Sequence, residues 1–94
     1  MQRTKFVFTG CIMKEGKSFS AFCPEVDVAT EGKNIPEAKD NLIEAVSLYV
    51  ESAIESNLPI LRTMPEEENL LISKPKDIEE TFRLQIELEI HAHA

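Results

Sequence analysis

Between Phe19 and Tyr49 the hydrophobic period changes from two residues to about 3.6, and this switch constrains the fold more than any other feature of the chain. Phe19-Ser20-Ala21-Phe22-Cys23 reads as a strand closed by Pro24, which has no N–H to give to a ladder. Val26 to Thr30 alternates as a short further strand, and Gly32 supplies a turn. An amphipathic helix follows. Asn34 is its N-cap, Glu37 three residues on completes a capping-box pattern, and Pro36 is tolerated in the first turn. The helix is expected from Ile35 to Ser56, stopped ahead of Pro59.

Upstream, residues 5–13 and 18–23 flank Lys14-Glu15-Gly16-Lys17, the signature of a hairpin with a tight glycine-containing turn. A Glu15-Gly16 loop sets Lys14 opposite Lys17, Ile12 opposite Phe19, Cys11 opposite Ser20 and Phe8 opposite Cys23. One face then carries Phe6, Phe8, Ile12, Phe19, Ala21 and Cys23, and the other Val7, Thr9, Cys11, Met13, Ser18, Ser20 and Phe22. The second face is too apolar to be left in water. The same register points the two thiols to opposite faces, so no disulfide is expected, as suits a cytosolic protein.

Downstream, residues 57–78 are broken by Pro59, Pro65 and Pro75 around the acidic run Glu66-Glu67-Glu68 and read as an irregular connection; Leu70-Leu71-Ile72 fits an extra turn or a short strand equally well. From Phe82 to Ile90 apolar and polar residues alternate strictly, defining a last strand over about 82–91. The expected fold class is α+β: a single domain over residues 1–94, β-β-β-α-β, with a mixed sheet and one helix packed on one face. Its core is expected to bury Phe8, Phe19, Leu42, Tyr49, Leu84 and Ile86.

On the helical wheel Ile35, Ala38, Leu42, Ala45, Val46, Tyr49 and Ala53 form the sheet-facing side. Glu37, Asp40, Glu44, Glu51 and Glu55 form an acidic stripe opposite. Ile43, Val50 and Ile54 add an apolar shoulder that either packs under the following loop or meets another subunit. With the second sheet face (Val7, Cys11, Met13, Phe22) the shoulder defines a candidate self-association surface, expected to give a homodimer or a tetramer.

Charge narrows the functional classes. Ten basic against seventeen acidic residues give a net charge of -7, which argues against direct nucleic-acid binding and for a basic protein partner. No run of about twenty apolar residues is present, so a cytoplasmic protein without a membrane segment is expected. The three glycines have no phosphate-cradling spacing. Neither cysteine has a recognisable His partner with an orienting third group. His91 and His93, at i and i+2 on a strand, lack an evident third metal ligand, and Glu25, Asp27 and Glu31 cluster around the third strand without a metal-binding spacing. Neither a catalytic centre nor a metal or cofactor is expected.

The combined pattern resembles the HicB-like antitoxin family. Phe19, Ala21, Cys23-Pro24-Glu25, Asp27-Val28-Ala29, Gly32, Glu37-Ala38, Glu44-Ala45 and Tyr49 stand where that family places an aromatic, an alanine, Cys-Pro-Glu, an acidic-apolar strand, a turn glycine and a helix with repeated Glu-Ala pairs. Asn34 replaces the usual Thr cap, and Pro36 a usual acid or polar residue. The resemblance covers about Phe6 to Asn57 and, more loosely, the last strand. It implies a degenerate ribonuclease-H-like fold and a binding module that sequesters a small HicA-type RNA-cleaving toxin. The partner-binding candidates are Glu25, Asp27 and Glu31, followed by Glu37, Asp40 and Glu44. Only His91 to Ala94 follow the last strand, so no DNA-binding extension is expected. A small metal-dependent nuclease on the same fold, or an oligomeric scaffold with another partner, stays open as the alternative.

Overall fold

The computed structural model describes residues 2–90, with side chains from Arg3 to Glu89. Its elements in chain order are β1 (Gln2–Glu15), β2 (Ser18–Cys23), β3 (Val28–Gly32), α1 (Ile35–Glu55), the short helix α2 (Leu70–Ser73), a 3₁₀ turn (Pro75–Asp77) and β4 (Ile78–Ile90). The four strands form one sheet in the order β3-β2-β1-β4, and α1 packs on one face of it. The fold is α+β. No described helix is long and apolar enough to cross a membrane.

Every strand pairing is antiparallel, where a mixed sheet is expected from the element order. The reason lies in the connection after α1. It leaves the helix near Leu58, crosses the end of the sheet beside Pro24 and Glu25, and runs up the second face through Met64 and Leu70. It reaches the hairpin end before β4 begins opposite Met13. That additional traverse reverses the direction of β4.

The hairpin closes one residue later than expected. Glu15 pairs with Ser18, Ile12 with Ala21 and Cys11 with Phe22, so the loop is Gly16-Lys17. Gly16 has φ 59°, a conformation that glycine adopts without steric cost. Relative to the expected register the strands slide by two residues, which leaves every side chain on its face. Cys11 and Cys23 accordingly lie on opposite faces as free, buried thiols. The third strand runs from Val28 to Gly32 rather than from Val26 to Thr30, because the turn after Cys23 extends through Asp27, held at φ 53°. Val26 instead drops into the core.

Helix α1 follows its sequence signals closely. The Asn34 side chain accepts from the Glu37 backbone N–H at 2.8 Å, and Ser56 closes the C-terminus. Ala38, Leu42, Val46, Val50 and Ala53 are buried against Phe8, Ile12, Ala21, Cys23, Val26, Leu84 and Ile86. Phe19 and Tyr49, expected in the buried core, are only partly covered at its margin. Gly32 lies where the helix meets the sheet; a Cβ there falls 2.5 Å from the Ala38 backbone N, so only glycine permits the approach. At the hairpin end Lys39 ion-pairs with Glu80 and lies over the Phe82 ring, 5.2 Å from its centroid.

Strand β4 begins at Ile78, ahead of the expected Phe82, and its described part ends at Ile90. A bulge between Ile12 and Met13 sets Glu80 opposite Ile12 but Ile78 opposite Met13. The bulge breaks the two-residue alternation. Ile78 thereby joins Cys11, Met13, Phe22, Met64, Leu70 and Leu71 in a second, smaller cluster on the face away from α1.

Candidate functional site

The turn at Cys23-Pro24-Glu25 ties three parts of the chain together. Both Glu25 carboxylate oxygens accept from the Thr9 backbone N–H, at 3.0 and 3.1 Å, and Oε2 also accepts from Thr9 Oγ1 at 2.9 Å. The Cys23 thiol donates to Oε1 at 3.6 Å. The main chain of the same turn receives the crossing segment: Met64 N–H donates to Pro24 O at 2.8 Å and Arg62 N–H to Glu25 O at 3.0 Å. Glu25 therefore fastens the edge of β1 where β2 stops pairing with it. Burial, with the Glu25 charge in second place, pushes the Cys11 thiol up to about 11 and the Cys23 thiol up to about 12. Neither sulfur is activated as a nucleophile.

The six acidic candidates do not make one surface. Glu25 is half-buried and bonded internally, and Asp27 is half-buried in the left-handed turn. Glu31 is exposed on β3. Its register partner Ser20 is in turn opposite Met13, which places the Glu31 side chain on the face away from α1. Asp40 and Glu44 are exposed on the helix, and Glu37 is partly exposed. All three lie across the sheet from the Glu31 side chain. Asn41 joins the two elements by donating from Nδ2 to Glu31 O at 2.8 Å.

Around Glu31 there is a formed cavity. It measures about 350 Å³ and lies between β1, β2, β3 and the crossing segment, lined by Met13, Phe22, Met64 and Leu70 with Glu15, Glu31 and Glu68. Among the described residues no Lys, Arg or His lines it. The Ser20 side chain lies on this face, and its Oγ is buried with no hydrogen-bond partner among the described residues. Glu15 and Glu68 are absent from the sequence-derived candidates. Glu15 reads there as a turn residue, and Glu68 belongs to a segment whose path periodicity does not define.

The self-association candidates are also divided. Cys11, Phe22 and Val50 are buried within the chain, the first two under Met64 and the 70–71 segment, so they present no exposed interface. Met13 packs against that cluster, and Ile43 and Ile54 pack against the main core. Val7 alone of the seven is well exposed, at 45%. The helix shoulder is thus largely internal, with Ile60 packed onto the same core.

Among the described residues no three of His, Cys, Asp and Glu come together as a metal-holding group. His91 and His93 lie outside the described residues. No family model, curated protein or solved structure matches this chain.

Proposed function

We propose that this chain is a HicB-like binding module that masks a small, basic, HicA-type RNA-cleaving toxin and performs no catalysis of its own. The observation that carries the reading is the acid-rimmed cavity beside β3. There Glu15, Glu31 and Glu68 surround an apolar floor, with no Lys, Arg or His in its lining among the described residues. Complementary charge of this kind accelerates encounter and selects basic partners, in keeping with a net charge of -7. The ribonuclease-H-like fold in the proposal is supported by the β-β-β-α-β order and by the helix packed on one face of the sheet. Self-association belongs to the same proposal, with Val7 and the exposed Leu58 and Leu61 as its remaining apolar surface.

The test is inhibition of a co-expressed HicA-type toxin in an RNA-cleavage assay. Stoichiometric loss of cleavage is expected, with association slowed by salt. Glu31→Lys with Glu68→Lys slows association, whereas Glu44→Lys, across the sheet, leaves it nearly unchanged. Equal effects from both faces, or no inhibition, would sink the reading. Cleavage by the purified chain itself with magnesium or manganese, lost in Asp27→Asn, would replace it with the nuclease.

A further inference from the structure

Strand β4 lies at one edge of the sheet, and its outer backbone groups are open. The Thr9 N–H points to Glu25, on the β2 side of β1, and so away from β4. In an antiparallel ladder this makes Thr9 and Arg83 a pair without mutual hydrogen bonds, and every second residue follows suit. The N–H and C=O groups of Thr81, Arg83, Gln85, Glu87 and Glu89 therefore face outward, and no other described segment bonds to them through its backbone. Edges of this length are normally blunted. From Thr81 to Glu89 there is no proline, no glycine and no charge on the α1 side, where Phe82, Leu84, Ile86 and Leu88 lie. The other edges differ. β3 is five residues long, and its Glu31 carbonyl accepts from Asn41 Nδ2. On β1 Glu25 takes the Thr9 N–H, and the open remainder exposes Arg3, Lys5 and Val7, which set like charges together if a second copy pairs there.

We infer that the outer edge of β4 pairs antiparallel with β4 of a second copy of this chain, about a two-fold axis at Gln85, to give one continuous sheet with both helices on the same face. The inference rests on the self-association part of the proposal above and gives it a surface. Two independent observations select a second copy over a foreign strand. Arg83 and Glu87, both exposed, lie at equal distances on either side of Gln85, so antiparallel pairing sets each Arg83 opposite the partner's Glu87, twice over. On the α1 side Leu84 and Ile86 are buried while Phe82 and Leu88 are only partly covered. The same register brings Phe82 against the partner's Leu88 at both ends, where cover is lacking. It also satisfies about ten outward backbone groups through paired bonds. A centre at Leu84 loses the ion pairs, and a centre at Ile86 sets Arg83 against Glu89 and shortens the overlap. A two-fold, self-complementary contact closes on itself and leaves no β4 edge open.

The test combines sedimentation equilibrium over a micromolar to millimolar concentration series with amide hydrogen exchange read by NMR. The chain should sediment at twice its own mass at the upper concentrations. Exchange at Arg83, Gln85 and Glu87 should slow as the dimer forms, while Leu84 and Ile86, already bonded to β1, change little. Gln85→Pro removes an outward N–H and no bond to β1, so circular dichroism should stay native while the dimer is lost. Arg83→Glu provides a second route that leaves the backbone alone. It replaces two attractions by two repulsions and should weaken the dimer roughly tenfold or more. Adding Glu87→Arg to it restores opposite charges across the axis and should recover most of that loss.

A monomer across the whole series, or a dimer whose odd-numbered β4 amides exchange as fast as those of the monomer, would overturn the assignment. So would a natively folded Gln85→Pro chain that dimerises as before, or rescue of Arg83→Glu by Glu89→Arg and not by Glu87→Arg. Protection of the β4 edge only when a different protein is added would give the edge to a foreign strand instead. The proposals separate cleanly. A dimer that survives both β4 variants and is lost in Leu58→Ser with Leu61→Ser removes the β4 pairing and leaves self-association standing. A β4 dimer that fails to inhibit any HicA-type toxin removes the masking reading and leaves the pairing.

Discussion

Removing the Glu25 carboxylate should destabilise the fold, although the residue looks from sequence like a surface acid. The carboxylate holds the Thr9 N–H and Oγ1, both part-buried, at 2.9 to 3.1 Å. Net hydrogen bonds to a charged group contribute about 1.5–3 kcal/mol each when well buried. Because Glu25 and Thr9 are only half-buried, water replaces part of the loss in the variant. Glu25→Ala is therefore expected to cost about 2 kcal/mol. Glu25→Gln retains one acceptor oxygen for the Thr9 N–H and should cost about 1 kcal/mol. Urea denaturation followed by circular dichroism measures both, with an unchanged m-value showing that the native and unfolded states are otherwise the same. A cycle with Thr9→Val isolates the hydroxyl bond and should give a coupling of about 1 kcal/mol. Glu31→Ala, an exposed acid on the neighbouring edge strand, serves as the control and should stay within about 0.5 kcal/mol. If Glu25→Ala also stays within about 0.5 kcal/mol, the clamp is not a stabilising element, and the Cys-Pro-Glu turn has to be explained by binding instead.

Leu42 is fully buried under the sheet, so Leu42→Ala should cost about 2–5 kcal/mol in the same denaturation experiment. A loss under about 0.5 kcal/mol would show the wrong helix face in the core. Asn34→Ala removes the side chain that holds the Glu37 N–H and should cost about 1 kcal/mol, while Asn34→Asp should cost much less. Both thiols are raised in the folded state, to about 11 and about 12, so the unfolded chain ionises first as pH rises. Their contribution is complete below the ordinary thiol pKa of about 8.5–9 and is lost as pH climbs through the folded values. Stability measured from pH 8 upward should fall across that window, and replacing both cysteines by alanine should flatten the fall.

The helix was readable because each of its signals acts locally: an Asn cap, a proline in the first turn, and a 3.6-residue apolar repeat. The edges of its buried face were less readable. Tyr49 and Val50 stand about 100° apart on the wheel, on opposite margins of the apolar arc, yet Val50 is fully buried while Tyr49 is only partly covered, beneath Arg62. The hairpin faces survive a two-residue error in register because side-chain alternation has the same period. The start of β4 does not survive the bulge, since one extra residue moves Ile78 to the opposite face from the one its alternation with Phe82 and Leu84 implies. The acid-rimmed cavity was legible through Glu31 and, as part of the apolar second face, through Met13 and Phe22. Met64 and Glu68 reach it by tertiary contacts that no local pattern encodes.

The same crossing segment accounts for the all-antiparallel sheet and for the covered second face. A short connection from α1 would deliver the chain directly to the last strand at the Glu25 end of the sheet. The 57–78 segment travels back to the hairpin end first, and on the way Met64, Leu70 and Leu71 cover the face that sequence alone leaves apolar and unexplained. One segment thus reverses β4, buries Cys11 and Phe22, and forms a wall of the cavity with Met64, Glu68 and Leu70. Its two backbone bonds to Pro24 and Glu25 are its anchorage at the point where it leaves the helix side for the second face. The Cys-Pro-Glu turn is therefore coupled to the cavity without lining it. Glu25 fixes the turn against Thr9, the turn fixes Met64, and Met64 shapes the site opposite Glu31. Charge at the rim and stability at the turn are separable by mutation, because the carboxylates that do each task lie on different segments.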